Sequence, residues 1–280
     1  SALVSRYSNT ALSEMSANVN VALQIARNLD RHLLSQDNSN VWANTEATKQ
    51  NYHSDFYRPY KQSLTMTQIG VANNVNDNVR VGAVLSHSRA NNTFAENVSG
   101  KNRLTALSTY VKGNWNNGVF ASLDLGYGRS RNTIDFDGKN NVFHRSLFSA
   151  GVNAGIQWDW GVNVQPSIGV RYNRLSKANY QLAEAKIESK ALNLMTYRAG
   201  LELSKTFDVA GVKLTPSVAS YYNDATQRKM AVNSALSVNN IGMQQQFGRY
   251  FNHEAGLAAQ FNQWQVSAQV GMLKGSDITT

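Results

Sequence analysis

From Asn40 onward the chain alternates apolar and polar residues with a period of two, over runs longer than soluble strands use. Phe148, Ala150, Val152, Ala154, Ile156 and Trp158 are apolar, while the intervening Ser149, Gly151, Asn153, Gly155 and Gln157 are small or polar. Leu123, Leu125 and Tyr127 flank Asp124, Gly126 and Gly128; Val164, Ile168 and Val170 flank Gln165, Gly169 and Arg171. Tyr197, Leu201 and Leu203 likewise flank Arg198 and Glu202. Eleven strands are predicted, at about 40–50, 60–72, 79–89, 101–115, 118–131, 143–159, 161–174, 190–207, 211–224, 246–262 and 264–274. Soluble strands average about five or six residues, whereas a tilted strand needs about nine to eleven to cross the hydrocarbon of a bilayer. The pattern predicts an all-β chain: an antiparallel transmembrane β-barrel whose apolar stripes meet lipid and whose polar stripes line a lumen.

The connections point the same way. Those after even-numbered strands read as tight: Asn73–Asn78, Asn116–Asn117, the turn at Trp160, Asp208–Ala210 and Gln263. Those after odd-numbered strands read as long, at about 51–59, 90–100, 132–142, 175–189 and 225–245. Short inner turns alternating with long outer loops are the outer-membrane barrel pattern. Trp115, Trp158, Trp160 and Trp264 all fall beside the short turns, as an interfacial aromatic girdle requires. Core tryptophans of a soluble domain would sit mid-strand instead.

Residues 1 to about 36 follow a different period. Leu12, Met15, Val19, Ala22, Ala26, Leu29 and Leu33 recur at three- and four-residue steps, and Leu23, Arg27 and Arg31 belong to the same predicted helix. Ser8, Asn9 and Thr10 are candidate caps for its start. About thirty residues at 1.5 Å each give roughly 45 Å, enough to cross a bilayer inside a barrel. The helix is too polar to cross one in lipid, and no run in the chain approaches about eighteen consecutive apolar residues. Ser1 to Arg6 hold no long apolar core, so no signal peptide is expected within these residues. The chain therefore divides into a lumen-spanning linker helix, 1–38, and a barrel, 39–280, with Leu12, Met15, Val19, Leu23, Arg27 and Arg31 as the pore plug.

An odd strand count is unusual for a bacterial single-chain barrel. A twelve-stranded barrel is expected, with the last strand absent from this sequence. Without it, the first and eleventh strands would show unpaired backbone to lipid.

The sequence shows no catalytic, cofactor or metal motif. Zero cysteines exclude disulfides and thiolate metal sites. His32, His53, His87, His144 and His253 have no ligand spacing, and no nucleophile elbow, P-loop or dinucleotide fingerprint is present. No enzyme activity and no cofactor are expected of the chain itself. The formal charge of +9 is scattered, which suits a solvated surface or anionic lipid headgroups better than nucleic acid. The lumen-facing set is Asp124, Gly126, Gly128, Asn153, Gln157, Gln165, Arg171, Arg198, Glu202 and Glu254, with Arg129 as a further lumen charge. The Gly126–Gly128 pair is expected to leave room for the helix.

An ordered set of short motifs resembles a known family. They are Arg6-Tyr-Ser-Asn-Thr-Ala-Leu-Ser-Glu14, Trp42-Ala43, Phe56-Tyr-Arg-Pro-Tyr60, Gln68-Ile-Gly-Val71, Leu85-Ser-His-Ser-Arg89 with Asn92-Thr-Phe94, and Phe247-Gly-Arg-Tyr250. Together they resemble the translocator domain of the immunoglobulin A protease group of autotransporters, which includes the Hap and App adhesin-proteases. The resemblance covers nearly the whole chain. It implies a twelve-stranded barrel with a helix through its lumen, in the outer membrane of a Gram-negative bacterium, as a monomer. It implies export of an N-terminal passenger, a serine protease precursor, with the helix plugging the pore afterwards. It also implies contact with outer-membrane lipid, lipopolysaccharide and the barrel-assembly machinery. Family members end in a strand with a terminal aromatic residue, from which this sequence departs.

Two other readings stay open at this level. A passive porin shares the barrel but would conduct with the helix in place. A soluble all-β binding module would need no detergent.

Overall fold

The structure is a computed structural model describing residues 2–53, 58–225, 229–236, 239–246, 249–275 and 278–279. It opens with helix α1 (Ala2–Leu34), followed by β1 (Val41–Tyr52), β2 (Tyr60–Asn74), β3 (Val79–Phe94), β4 (Val98–Asn114), β5 (Val119–Phe136) and β6 (Lys139–Ile156). Next come β7 (Trp158–Asp159), β8 (Asn163–Leu175), β9 (Ala178–Leu182), β10 (Ala185–Ser189), β11 (Leu192–Ser204) and β12 (Phe207–Val209). The chain continues through β13 (Val212–Ala225), β14 (Lys229–Leu236), β15 (Asn239–Gln246), β16 (Tyr250–Phe261), β17 (Trp264–Gly275) and β18 (Ile278–Thr279). Fourteen strands form one sheet. With the short pieces β7, β12 and β18 set aside, eleven staves remain, in the order β1–β6, β8, β11, β13, β16, β17.

The sheet closes on itself. Every neighbouring pair of staves is antiparallel except the seam, where β1 pairs in parallel with β17 from Val41↔Trp264 to Glu46↔Gln269. The edges expected to stand unpaired are thus joined. With an odd number of staves, first and last run in the same direction, so only a parallel ladder can close the ring. Above Glu46 the two strands part, and β18 pairs with Asn51 and Tyr52.

The alternation becomes lipid-facing and lumen-facing stripes. Leu85, Leu107, Leu123, Leu125 and Val152 are more than half exposed on the outer wall or close to it, while Asp124 and Asn153 between them are buried. Nearer the long-connection end the chemistry inverts and the geometry does not. On β5, Ile134 and Phe136 share the inward parity of Asp124 yet are apolar, and Arg129 and Arg131 share the outward parity of Leu125 yet are charged. Above the hydrocarbon the outer wall meets water and the inner wall packs on α1.

That inversion explains where the strand boundaries differ. The connections expected at 90–100 and 132–142 shrink to residues 95–97 and 137–138, because β3–β4 and β5–β6 run on as long hairpins. Their polar outward residues read as loop. Glu96 and Asn97 turn the first hairpin with positive φ, and Asp137 and Gly138 the second. The expected loops 175–189 and 225–245 also contain strands: β9–β10 and β14–β15 join through β10 and β14 into a separate four-stranded sheet. The motif residues Phe56, Tyr57, Phe247 and Gly248 lie outside the described residues.

Helix α1 has no glycine or proline to interrupt it. It already runs through Ser8, Asn9 and Thr10, so these are helical residues, Ser8 and Thr10 buried and Asn9 half-buried, and not the cap expected of them. It ends where Ser35 bonds back to His32 through its N–H (3.0 Å) and its hydroxyl (2.6 Å). All faces of the helix are buried, polar ones included: Ser13, Glu14, Asn18, Asn20, Gln24, Asn28 and Asp30 sit at or below 9% exposure beside Leu12, Met15 and Val19. An amphipathic helix on a sheet would wet one face; this one has wall on every side.

Candidate functional site: the occupied lumen

The lumen has two zones along the helix. Toward the long-connection end, Tyr7, Leu12, Met15, Val19 and Leu23 pack in one apolar cluster with Phe94, Phe136, Phe143, Tyr180 and Ile187 of the wall and overlying sheet. Toward the short turns the contacts turn ionic. Asp30 accepts from Arg171 of β8 (2.7 Å) and pairs with Arg198 of β11 (2.8 Å), and Asn153 of β6 donates to it (2.9 Å). Arg171 also bridges to Asp124 of β5 with both guanidinium nitrogens, at 2.7 and 2.9 Å. The next helix residue, Arg31, reaches the opposite arc, pairing with Glu46 of β1 (3.0 Å) and Glu254 of β16. Two successive residues therefore hold two sides of the ring, fixing the helix in height and rotation.

A second buried pair joins Glu14 to Arg145 of β6, and Tyr180 donates to the same carboxylate (3.3 Å). Glu14 and Asp30 are sixteen residues apart, about 24 Å along the axis. Amide bonds fill the interval: Gln62 donates to the Ala17 carbonyl (3.1 Å), Asn102 to Asn18 (3.0 Å) and Asn44 to Asn28 (2.9 Å). Taking such charges out of water is expensive, and the free energy is recovered only when each is paired and hydrogen-bonded. Two wall glycines make this possible. A Cβ at Gly151 would lie 2.7 Å from Asp124 Oδ2 and against the Arg171 guanidinium, and one at Gly169 would lie 2.8 Å from Arg198 Nη2.

The remaining expected residues fall as follows. Gln165 donates to the Leu34 carbonyl (2.8 Å) at the helix end. Arg27 donates to Gln24 (2.6 Å) and to the Tyr250 hydroxyl (3.5 Å). Gln157 and Glu202 line a polar cavity of about 280 Å³ at the short-turn mouth, and Glu202 does not pair with Arg198. Gly126 and Gly128 do make room, but for the neighbouring strand: added Cβ atoms would strike Ser108 and Ala106 of β4, not the helix. Arg129 is exposed on the outer wall, because its odd parity on β5 matches Leu125 and Tyr127. Trp115, Trp158, Trp160 and Trp264 are 40–71% exposed at the short-turn rim, and Trp158 stacks on Trp160 at 5.3 Å.

The family model described as the autotransporter β-domain matches residues 41–271, from the start of β1 into β17. The chain belongs to that family. It is 36% identical over 99% of its length to the adhesion and penetration protein autotransporter of Haemophilus influenzae, covering 19% of that protein. It is 28% identical over 78% of its length to the IgA-specific serine endopeptidase autotransporter of Neisseria gonorrhoeae, covering 15% of it. The chain thus spans under a fifth of the length of these relatives. In fold it matches the translocator domain of autotransporter NalP from Neisseria meningitidis, with a TM-score of 0.63 at 12% identity, over 93% of this chain and 96% of that one. It is an outer-membrane translocator domain of type V secretion. Membership implies a covalently linked passenger polypeptide.

Sequence reading of this autotransporter barrel missed Asp30 and Glu46 of the two clamps, and with them Glu14, Arg145 and Trp42. Glu14 and Arg145 carried no spacing signal, since their partnership spans 131 residues. Trp42, the fifth tryptophan, is not in the girdle but 1% exposed in the lumen, stacked on His32 at 3.6 Å. Its inward even parity on β1, shared with Asn44 and Glu46, was a legible signal. Gly70 on β2 lies under its indole ring, where a side chain would not fit.

Proposed function

We propose that this domain exports an N-terminal passenger across the outer membrane and then holds the passenger's trailing segment, α1, as a plug in its own pore. The functional division is residues 1–38 as linker and plug and residues 39–280 as translocator. The observation that carries the reading is the buried double clamp of Asp30 on Arg171 and Arg198 and of Arg31 on Glu46 and Glu254, which seats a polar helix along the lumen. The passenger is a serine endopeptidase, so catalysis in the precursor lies outside these residues; the named activity of the gonococcal relative supports this. Contact with lipopolysaccharide and with the barrel-assembly machinery completes the reading.

Single-channel recording in planar bilayers tests the plug. Barrels lacking residues 2–34 should pass larger currents than the full chain. Equal conductance with and without the helix would remove the plug and favour a passive channel.

A further inference from the structure

The outward wall of β3–β6 carries a row of basic side chains that pairs with no acid among the described residues. Arg89 on β3 stands directly opposite Arg103 on β4, Arg103 opposite Arg131 on β5, and Arg131 opposite His144 on β6. Lys101 and Arg129 flank the row at the next outward positions of β4 and β5. All six residues are exposed, and among the described residues none forms an ion pair. The acid nearest along β5 on this face, Asp135, caps its own turn by accepting from the Gly138 N–H (2.9 Å). Directly opposed like charges on adjacent strands destabilise a sheet. The row persists although polar uncharged residues would satisfy the same exposed positions, as Thr65 and Thr105 do beside it.

Its height narrows the partner. On each of these strands the row lies four residues from an outward apolar residue: Leu85, Leu107, Tyr127 and Phe148. Four residues on a tilted strand rise by about 10 Å. The row therefore sits at headgroup level, immediately above the hydrocarbon belt, on the side away from the short turns. Strands spaced about 5 Å apart present guanidinium forks at a pitch suited to several phosphates on one scaffold.

We infer that Arg89, Arg103 and Arg131, with Lys101, Arg129 and His144, form a binding row for the phosphate groups of an acylated, phosphorylated glycolipid in the outer leaflet. The acyl chains lie on the apolar belt below and the phosphates bridge the arginines above. This rests on the outer-leaflet lipid contact proposed above and names the residues that make it.

The test uses the full chain folded in phosphatidylcholine nanodiscs and titrated with hexa-acylated diglucosamine bisphosphate, with retention read by native mass spectrometry. Three charge-assisted contacts are removed in R89Q/R103Q/R131Q, which should weaken retention by roughly tenfold or more. The same lipid without phosphates should bind the native chain no better than it binds this variant. Equimolar inorganic phosphate should not displace the lipid, and K205Q/K213Q, on the opposite rim, should bind as the native chain does. R103Q alone, in the middle of the row, reports in the same direction if the triple variant does not fold. Unchanged retention in the arginine variants, no preference for the phosphorylated lipid, loss in the rim variant, or displacement by inorganic phosphate would each overturn the row. A barrel that inserts in the bilayer but shows no phosphate preference loses this site and keeps its membrane assignment.

Discussion

Asp30 of the helix and Arg171 of β8 meet at 2.7 Å inside the lumen, toward the short turns, and Arg171 is shared with Asp124 on the wall. One guanidinium thus serves a carboxylate that arrives with the helix and one that belongs to the barrel. The Arg171–Asp124 pair lies wholly within the wall and uses no helix atom.

Replacing Arg171 by Met leaves both carboxylates buried without this partner. Breaking a buried pair from one side costs about 3–5 kcal/mol. The unboiled, folded band on gels should convert at a lower temperature than native. Adding D30N to R171M should recover part of the loss, giving a coupling between the two sites. Strict additivity of the two changes would show that they do not interact.

Gly151→Ala tests the seat without touching a charge. Its Cβ would lie 2.7 Å from Asp124 Oδ2 and against the Arg171 guanidinium. Overpacking of this kind costs about 1–3 kcal/mol, and the displaced arginine should loosen the helix, seen as more frequent brief openings in single-channel records. A silent record at native stability would mean that the guanidinium has another place to go.

At the outer end, Arg6 clasps the tips of two hairpins, pairing with Glu96 (3.0 Å) and Asp137 (2.6 Å). The hydrogen bond from Arg6, with its charge, holds the exposed Asp137 carboxyl below the ordinary carboxylate range. A carboxyl depressed in the folded state stabilises that state above its unfolded pKa, and the contribution disappears as pH falls through the lowered folded value. The clasp should therefore be intact at pH 7 and release only below the usual aspartate titration. The carboxyl carbon shift of Asp137, followed by NMR, should titrate low in native chain and at the ordinary aspartate value in R6Q. An unshifted titration in the native chain would contradict the clasp.

The parallel seam places Asn44 opposite Ser267, whose hydroxyl donates to the Asn44 side chain (3.2 Å). The chain has no cysteine, so N44C/S267C introduces a single possible disulfide. Mild oxidation should join the first and last staves, read as a mobility shift of the denatured chain that reductant reverses. Free thiols in the folded barrel under oxidant would show that the seam stands open.

The five tryptophans separate by environment. Brominated lipids should quench single-tryptophan variants retaining Trp115, Trp158, Trp160 or Trp264, all at the rim, and spare the one retaining Trp42, buried against His32. Quenching of Trp42 as strong as that of Trp264 would put its indole outside the lumen.

The strands were legible in the sequence because the parity of a β-strand is strict: Leu123, Leu125 and Tyr127 announce their side of the wall without any knowledge of the neighbours. Trp115, Trp158, Trp160 and Trp264 announced the short-turn rim by their place beside turns. The outer hairpins were not legible, because beyond the bilayer the preference for apolar residues passes from the outer parity to the inner one. Asn91, Asn92 and Thr93 then look like loop.

Local order alone therefore determined an eleven-stave, lipid-facing sheet and a long helix, since periods of two and 3.6 are properties of the backbone. Which charges meet was decided only in three dimensions. Glu14 finds Arg145, Asp30 finds Arg171 and Arg198, and Arg31 finds Glu46 and Glu254 because closure of the ring brings distant strands around one axis. A buried charge selects its partner by distance in a low-dielectric space, and that distance exists only once the barrel has closed.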